Sequence, residues 1–292
     1  MDDLLLHPKT KAAVEVYLHE PAQVLMIVGA SGSGKKLLSR NIALRLLELK
    51  DVEKLDNESR LNIIKKEDGK SEIAIDAIRQ LIRTLKVKQP GENARRLIII
   101  EEANLLSQEA QNALLKTLEQ PAAGTLFILT SSSFSQILPT VVSRSQKLTV
   151  YPITEEQALN RYANKYKKEE IRKAWLLSEG AAGSLHTLLE AQEQQPLQAA
   201  ADNAKQFLSA TPYQRLVMAD ALSKDKERLI SLLDGLSRIL KALHHSNIKK
   251  GSSSMAARLL NARKLVSQSQ ETLASNSSPK LVLLKLIVNL KV

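Results

Sequence analysis

A parallel α/β sheet with helices on both faces, followed by an all-helical region, is the fold class that three observations predict. Apolar runs at 24–28, 97–100 and 125–130 alternate with segments of helical spacing. These runs are rich in Ile, Leu and Val without a polar alternation, as strands buried on both faces are. Beyond Pro152 the strand pattern stops and helical spacing continues to the end of the chain.

In chain order, the first strand is Val24-Leu25-Met26-Ile27-Val28. It runs into Gly29-Ala30-Ser31-Gly32-Ser33-Gly34-Lys35-Lys36, and a helix from Leu37 to about Leu49 leaves that loop. Asn62-Ile63-Ile64-Lys65-Lys66 reads as a second strand closed by the turn Glu67-Asp68-Gly69-Lys70. A helix over Ile73 to Leu85 follows, with Ile75, Ile78, Ile82 and Leu85 at helical spacing, and the Gln89-Pro90-Gly91 turn ends that unit. The strand Leu97-Ile98-Ile99-Ile100 is closed at once by Glu101 and Glu102. Ser107 caps a helix that reaches Leu118 and stops before Pro121, and Thr125 to Thr130 is a further strand. Residues 154–193 form two or three short helices broken at Gly180 and Gly183. From Pro196 the helices are interrupted by Thr211-Pro212, by 249–254 and by 276–279. The last helix, Lys280 to Leu290, presents Leu281, Leu284, Ile287 and Val288 as the face to be buried.

Composition bounds the function. A chain of 292 residues fits two or three compact units, and with aromatics at only 3% the core must be built from Leu, Ile, Val and Ala. The absence of cysteine excludes a disulfide framework, a thiol catalyst and any cysteine zinc site, so no zinc is expected. The acidic N-terminus and the lack of a long uncharged apolar run give the expectation of a cytoplasmic protein without a membrane partner. Residues 195–292 carry 15 Lys/Arg against 6 Asp/Glu, so +9 of the net +11 lies in the C-terminal third. Such a balance raises nucleic acid or acidic protein as partners, and solubility alone is its bland counterpart.

Gly29, Gly32 and Gly34 belong to a P-loop pattern, in which backbone N–H groups close around a phosphate. Lys35 would reach the β- and γ-phosphates, whereas Lys36 stands where Ser or Thr ligates magnesium. Ligands of open parallel sheets sit beyond the carboxyl ends of the strands, so the ends after Val28, Ile100 and Thr130 should converge. Glu101 occupies the position of a carboxylate that holds magnesium through water, and Glu102 that of a water-orienting neighbour. A solvated strand end is the bland alternative for two acidic residues closing a strand, and the P-loop beside them counts against it. ATP is thus an expected ligand of a damaged site, with magnesium weak or absent and no metal ligand set.

Ile98-Ile99-Ile100-Glu101-Glu102 and the helix that follows to Pro121 resemble the Walker B strand and helix of bacterial DNA polymerase III clamp-loader AAA+ subunits. Gly69 to Arg83 is similar too. Ile137 to Ser145 resembles the family's Ser-Arg-Cys segment with Ser145 for the cysteine, and Asn276 to Leu286 resembles the end of the collar domain. The resemblance implies an α/β nucleotide-binding domain at 1–151, a helical lid at 152–194 and a helical collar for oligomerisation at 195–292. It implies ATP as cofactor and, as partners, other clamp-loader subunits in a hetero-oligomeric ring, a sliding clamp and primed DNA. By position, Arg144 is the arginine finger acting in trans on a neighbour's ATP, and Ser131 or Ser132 is the sensor-1 residue. Lys36, Glu101 for the usual Asp, and Ser184 where a sensor arginine stands all depart from the ATP-using pattern, as does the missing zinc module. These departures imply the family's stationary kind of subunit, with weak or absent ATPase. Two other readings stay open: an active clamp-loader ATPase, and a basic DNA-binding accessory protein using Lys241, His244, His245, Lys249 and Lys250.

Overall fold

The computed structural model describes residues 4–49, 55, 58–85, 95–190, 196–249, 252–275 and 277–290. The Gln89-Pro90-Gly91 turn, Lys250 and Asn276 lie outside these residues. Five strands, β1 (Val24–Val28), β2 (Leu61–Ile64), β3 (Arg96–Ile100), β4 (Thr125–Ser131) and β5 (Gln146–Thr149), form one sheet in the order β2-β3-β4-β1-β5. Every pairing is parallel. Its helices are α1 (Pro8–His19), α2 (Lys35–Leu46), α3 (Ile75–Leu85), α4 (Gln108–Glu119) and the short α5 (Pro139–Val142).

The apolar strands are continuous because successive side chains enter two different cores. Val24, Met26, Val28, Ile98, Ile100, Phe127 and Leu129 pack with α3 and α4 residues such as Ile78 and Leu114. Leu25, Ile27, Leu97, Ile99, Ile128 and Leu148 pack on the other face with Tyr17 of α1 and Leu38 and Ile42 of α2. Leu4 and Leu6 lie partly buried against this second core. Pro8 opens α1 at a position where its missing N–H costs nothing, and the His7 imidazole caps that end by accepting from Lys9 N. Thr10, fully buried, donates to Thr149 O at 3.3 Å and accepts from Tyr151 N at 3.0 Å, tying α1 to the end of β5.

Several boundaries differ from expectation. α2 starts at Lys35 rather than Leu37, because Gly34 at φ 88° turns the loop straight into the helix. β4 runs one residue further, to Ser131. β5 has no counterpart among the expected strands: Gln146-Lys147-Leu148-Thr149 is an edge strand with only Leu148 buried, so it has no apolar run. Gly183 does not break a helix, since it lies in the first turn of α8 (Ala182–Glu190).

The remaining helices are α6 (Glu155–Tyr162), α7 (Lys168–Ser178), α9 (Pro196–Ser209), α10 (Pro212–Leu222), α11 (Lys226–Lys249), α12 (Ser253–Ala274) and α13 (Pro279–Asn289). Contacts divide the chain into residues 1–157 with 181–184, and residues 158–180 with 185–292. The second unit has its own core, built from Phe207, Leu232, Leu236, Leu240, Val266, Leu283 and Leu286 among others. In α13 the buried residues are Val282, Leu283, Leu286 and Ile287. Leu281 and Val288, expected inside, are 67% and 72% exposed.

Candidate functional site

β3, β4 and β1 are neighbours in the sheet, so their carboxyl ends bring together the loops after Ile100, Ser131 and Val28. Gly29 N donates to Ser131 O, which starts the P-loop in register with β4. Gly29 itself has no room for a side chain, because a Cβ there would meet Ser33 Oγ and Val150 Cβ at 2.9 Å each. Gly32 and Gly34 adopt φ of 72° and 88°, the left-handed conformation that the loop needs. The cradle residues expected from the sequence are therefore together, at the start of α2.

Its charges are turned inward. Lys35 Nζ donates to the loop's own carbonyls, Gly29 O at 2.7 Å and Ala30 O at 2.8 Å. Burial lowers the Lys35 pKa, and the nearby Glu102 carboxylate opposes that shift. Lys36 Nζ lies 3.1 Å from Oε2 of Glu101, a carboxylate only 1% exposed. Arg40, one helical turn beyond Lys36, brings its Nε to 3.7 Å from Oε1 of the same carboxylate. That distance is too long for a hydrogen bond, and Glu101 Oε1, Arg40 Nε and Ser33 Oγ are buried without a hydrogen-bond partner. Sequence reasoning misses Arg40, although its i+4 spacing from Lys36 was the available signal.

The loop is also closed by residues 181–184 of the same unit. Ser184 N donates to Gly32 O at 2.9 Å, and a Cβ at Gly32 would collide with Ser184 Oγ. A Cβ at Gly183 would lie 2.7 Å from Gly32 O, so this approach needs glycine on both sides.

Glu102 is exposed and sits at φ 54°, with its N–H donating to Thr130 Oγ1 at 2.9 Å. Ser131 is fully buried and donates its hydroxyl to Ser133 O at 2.8 Å, whereas Ser132 is exposed. Arg144 follows α5 on the surface: its Nη1 donates to Thr140 O at 2.8 Å and its Nη2 pairs with Glu119 at the end of α4. Of the basic candidates in the C-terminal third, Lys241 pairs with Glu179 at 2.6 Å and His244 Nδ1 lies 3.0 Å from Arg263 Nη1. His245 sits edge-on to Trp175.

This donor set does not fit magnesium. An ammonium has no lone pair to ligate a metal, and Lys36 already lies against the carboxylate that would hold the ion. In this conformation Lys35 is bonded to the loop's own carbonyls, and 181–184 lie against Gly32. Among the described residues no group of three or more His, Cys, Asp or Glu could hold a metal, and no helix is long and apolar enough to cross a membrane.

Comparisons with known proteins bear on the same region. Residues 15–154 match the family model described as DNA polymerase III, delta subunit. The chain is 33% identical over 105 residues to the DNA polymerase III subunit gamma/tau of Mycoplasma genitalium, covering 36% of this chain and 17% of that protein. It is 29% identical over 136 residues to subunit delta' of Pseudomonas aeruginosa, covering 42% and 41% of the two chains. To subunit delta' of Escherichia coli it is 31% identical over 130 residues, covering 42% and 37%. The chain thus spans less than half the length of each of these relatives. A solved DNA polymerase III gamma subunit-related protein of Thermotoga maritima shares the fold with a TM-score of 0.52 at 16% identity, over 96% of this chain and 97% of that one. Over residues 15–154 the α/β part of this chain is therefore similar to subunits of DNA polymerase III of the delta and gamma/tau kinds.

Proposed function

We propose that this chain is a delta'-type clamp-loader subunit that does not hydrolyse ATP. Its α/β domain (1–151), lid (152–194) and helical collar (195–292) take a place in a hetero-oligomeric ring that loads a sliding clamp on primed DNA. The observation that carries this reading is the Lys36–Glu101 pair, which puts an ammonium against the carboxylate that a P-loop ATPase keeps for its metal. Lys35, bonded to the loop's own carbonyls, and Ser184, whose N–H donates to Gly32 O, support it.

On this reading the working residue is Arg144, which reaches a neighbouring subunit's ATP after leaving Glu119. An arginine finger stabilises charge developing on the γ-phosphate and contributes on the order of 10³-fold or more to turnover. Arg144→Ala in the reconstituted assembly is expected to lower DNA- and clamp-stimulated ATP turnover by at least about tenfold, allowing for other sites that keep their own fingers. The isolated parent should turn over no ATP, and Arg144→Ala should leave its thermal unfolding unchanged. Full stimulated turnover in the variant would sink the finger, and turnover by the isolated chain that is lost in Lys35→Ala would favour the active-ATPase alternative.

A further inference from the structure

We propose that the Lys36 ammonium is the built-in cation of this site, neutralising Glu101 in the place where the loop pattern puts a divalent metal. A buried carboxylate needs a counter-charge, because the alternative is several kcal/mol of uncompensated desolvation or loss of the charge. Glu101 is 1% exposed, and the cations facing it are Lys36 at 3.1 Å and Arg40 at 3.7 Å, both on α2. Of these only Lys36 is within hydrogen-bond reach.

Two sequence departures become one arrangement. In the ordinary pattern a hydroxyl at the last loop position and a shorter carboxylate at the strand end share one metal ion. Here the hydroxyl is replaced by an ammonium and the strand end carries Glu101, whose longer side chain meets it. Exchanging the hydroxyl alone would leave an ammonium competing with a metal, and lengthening the carboxylate alone would change nothing about its need for one. Together they make the ion unnecessary. Lys35 behaves in the same way on the phosphate side, where Gly29 O and Ala30 O take the donors that a phosphate would otherwise accept. The Glu101 charge is therefore compensated without metal, although Glu101 Oε1 and Ser33 Oγ keep no hydrogen-bond partner, and this property of the site's own residues stands whether or not Arg144 acts in trans.

Thermal unfolding of the full chain tests this with magnesium alone as the probe, at about 10 mM, against sodium chloride of equal ionic strength. The parent is expected to be indifferent to the exchange of salts. Lys36→Thr should melt about 3–6 °C lower in sodium chloride and recover most of that in magnesium, because the restored hydroxyl and the freed Glu101 can then share the ion. In a Glu101→Gln background, Lys36→Thr should shift the midpoint by less than about 1 °C and magnesium should do nothing. A parent stabilised by magnesium as much as the variant would overturn the proposal, as would an equal loss from Lys36→Thr in both backgrounds. A loss that magnesium does not recover would reduce the pair to an ordinary ion pair and overturn it too. If Lys36→Thr fails to fold in sodium chloride, recovery of the fold in magnesium is the expected result and continued failure is the contrary one. None of these outcomes depends on ATP turnover, so failure here and failure of the stationary-subunit reading are distinguishable.

Discussion

Gly32 and Gly34 share a left-handed backbone, yet their surroundings separate them. A Cβ added at Gly34 would meet no atom within 4 Å, so Gly34→Ala carries only the conformational penalty of φ 88°, about 1–2 kcal/mol. Gly32→Ala carries the same penalty and also drives a methyl into Ser184. It should therefore destabilise the α/β unit by roughly 1–2 kcal/mol more than Gly34→Ala. Adding Ser184→Ala should recover part of the excess only, because Ser184 Cβ is itself 3.0 Å from that methyl position. Denaturant titration of the three variants checks the order, and equal losses at the two glycines would mean that 181–184 do not close on the loop. The glycines and Lys35 were legible in the sequence because a phosphate loop is a local pattern. The partner of Lys36 was not, since Glu101 comes from a different strand and only the fold brings it within 3.1 Å. Glu102 was legible as a strand-end carboxylate, but its left-handed backbone and the Thr130 contact come from the turn that β4 builds beside it.

At the scale of elements, α13 shows where periodicity stops deciding. Leu281, Val282, Leu283, Leu284, Leu286, Ile287 and Val288 make it apolar nearly all round, so several faces score alike and packing selects 282, 283, 286 and 287. The strands β1, β3 and β4 had no such ambiguity because both their faces are buried, whereas β5 was hidden by its polar, edge-strand composition. One arginine fastens the ends of two helices. Arg215 of α10, 8% exposed, donates to Phe207 O and Leu208 O near the end of α9 and to Leu290 O beyond α13. Burial lowers its pKa, and these carbonyls at helix C-termini supply the negative potential that holds the charge. Arg215→Met should cost about 2–4 kcal/mol, read as a lower melting point of the helical unit, and Arg215→Lys should not restore it because a single ammonium lacks the planar fork. A loss below about 0.5 kcal/mol would show that the carbonyls are satisfied otherwise. Between α2 and β2, hydrogen bonds from Arg60 hold the Glu58 carboxyl down to about 2. A folded pKa below the unfolded value adds stability that is complete above the unfolded pKa and fades as pH falls from 4.5 toward about 2. Glu58→Gln should flatten that part of the acid-unfolding profile while leaving the profile near neutrality parallel to the parent's.

For the molecule as a whole, each unit has its own core, and the features that call for a partner lie on surfaces. Among the named basic candidates in the C-terminal third, Lys241 is turned to Glu179 and His244 lies against Arg263. That weakens the DNA-grip reading for those two residues and turns attention to the apolar surface of the helical unit. On α10, Tyr213, Leu216 and Val217 fall at i, i+3 and i+4 and are 76%, 45% and 60% exposed. On α13, which packs against α10, Leu281 and Val288 are the residues that the core did not take. Scattered exposed leucines need no explanation, but on the proposed ring reading these two stripes on neighbouring helices are the apolar surface that an adjoining subunit would cover. If these helices assemble the ring, as proposed, burying Leu281 and Val288 against a neighbouring subunit would contribute on the order of 1.5–3 kcal/mol each. Leu281→Asp with Val288→Asp should then weaken incorporation of the chain into the reconstituted assembly by about 100-fold or more, seen by sedimentation at fixed subunit concentration. Its far-ultraviolet circular dichroism and melting point should stay near the parent's, because both side chains already face solvent in the single chain. Unaltered incorporation would free this face of any assembly role and leave Tyr213, Leu216 and Val217 as the stripe to test by the same means.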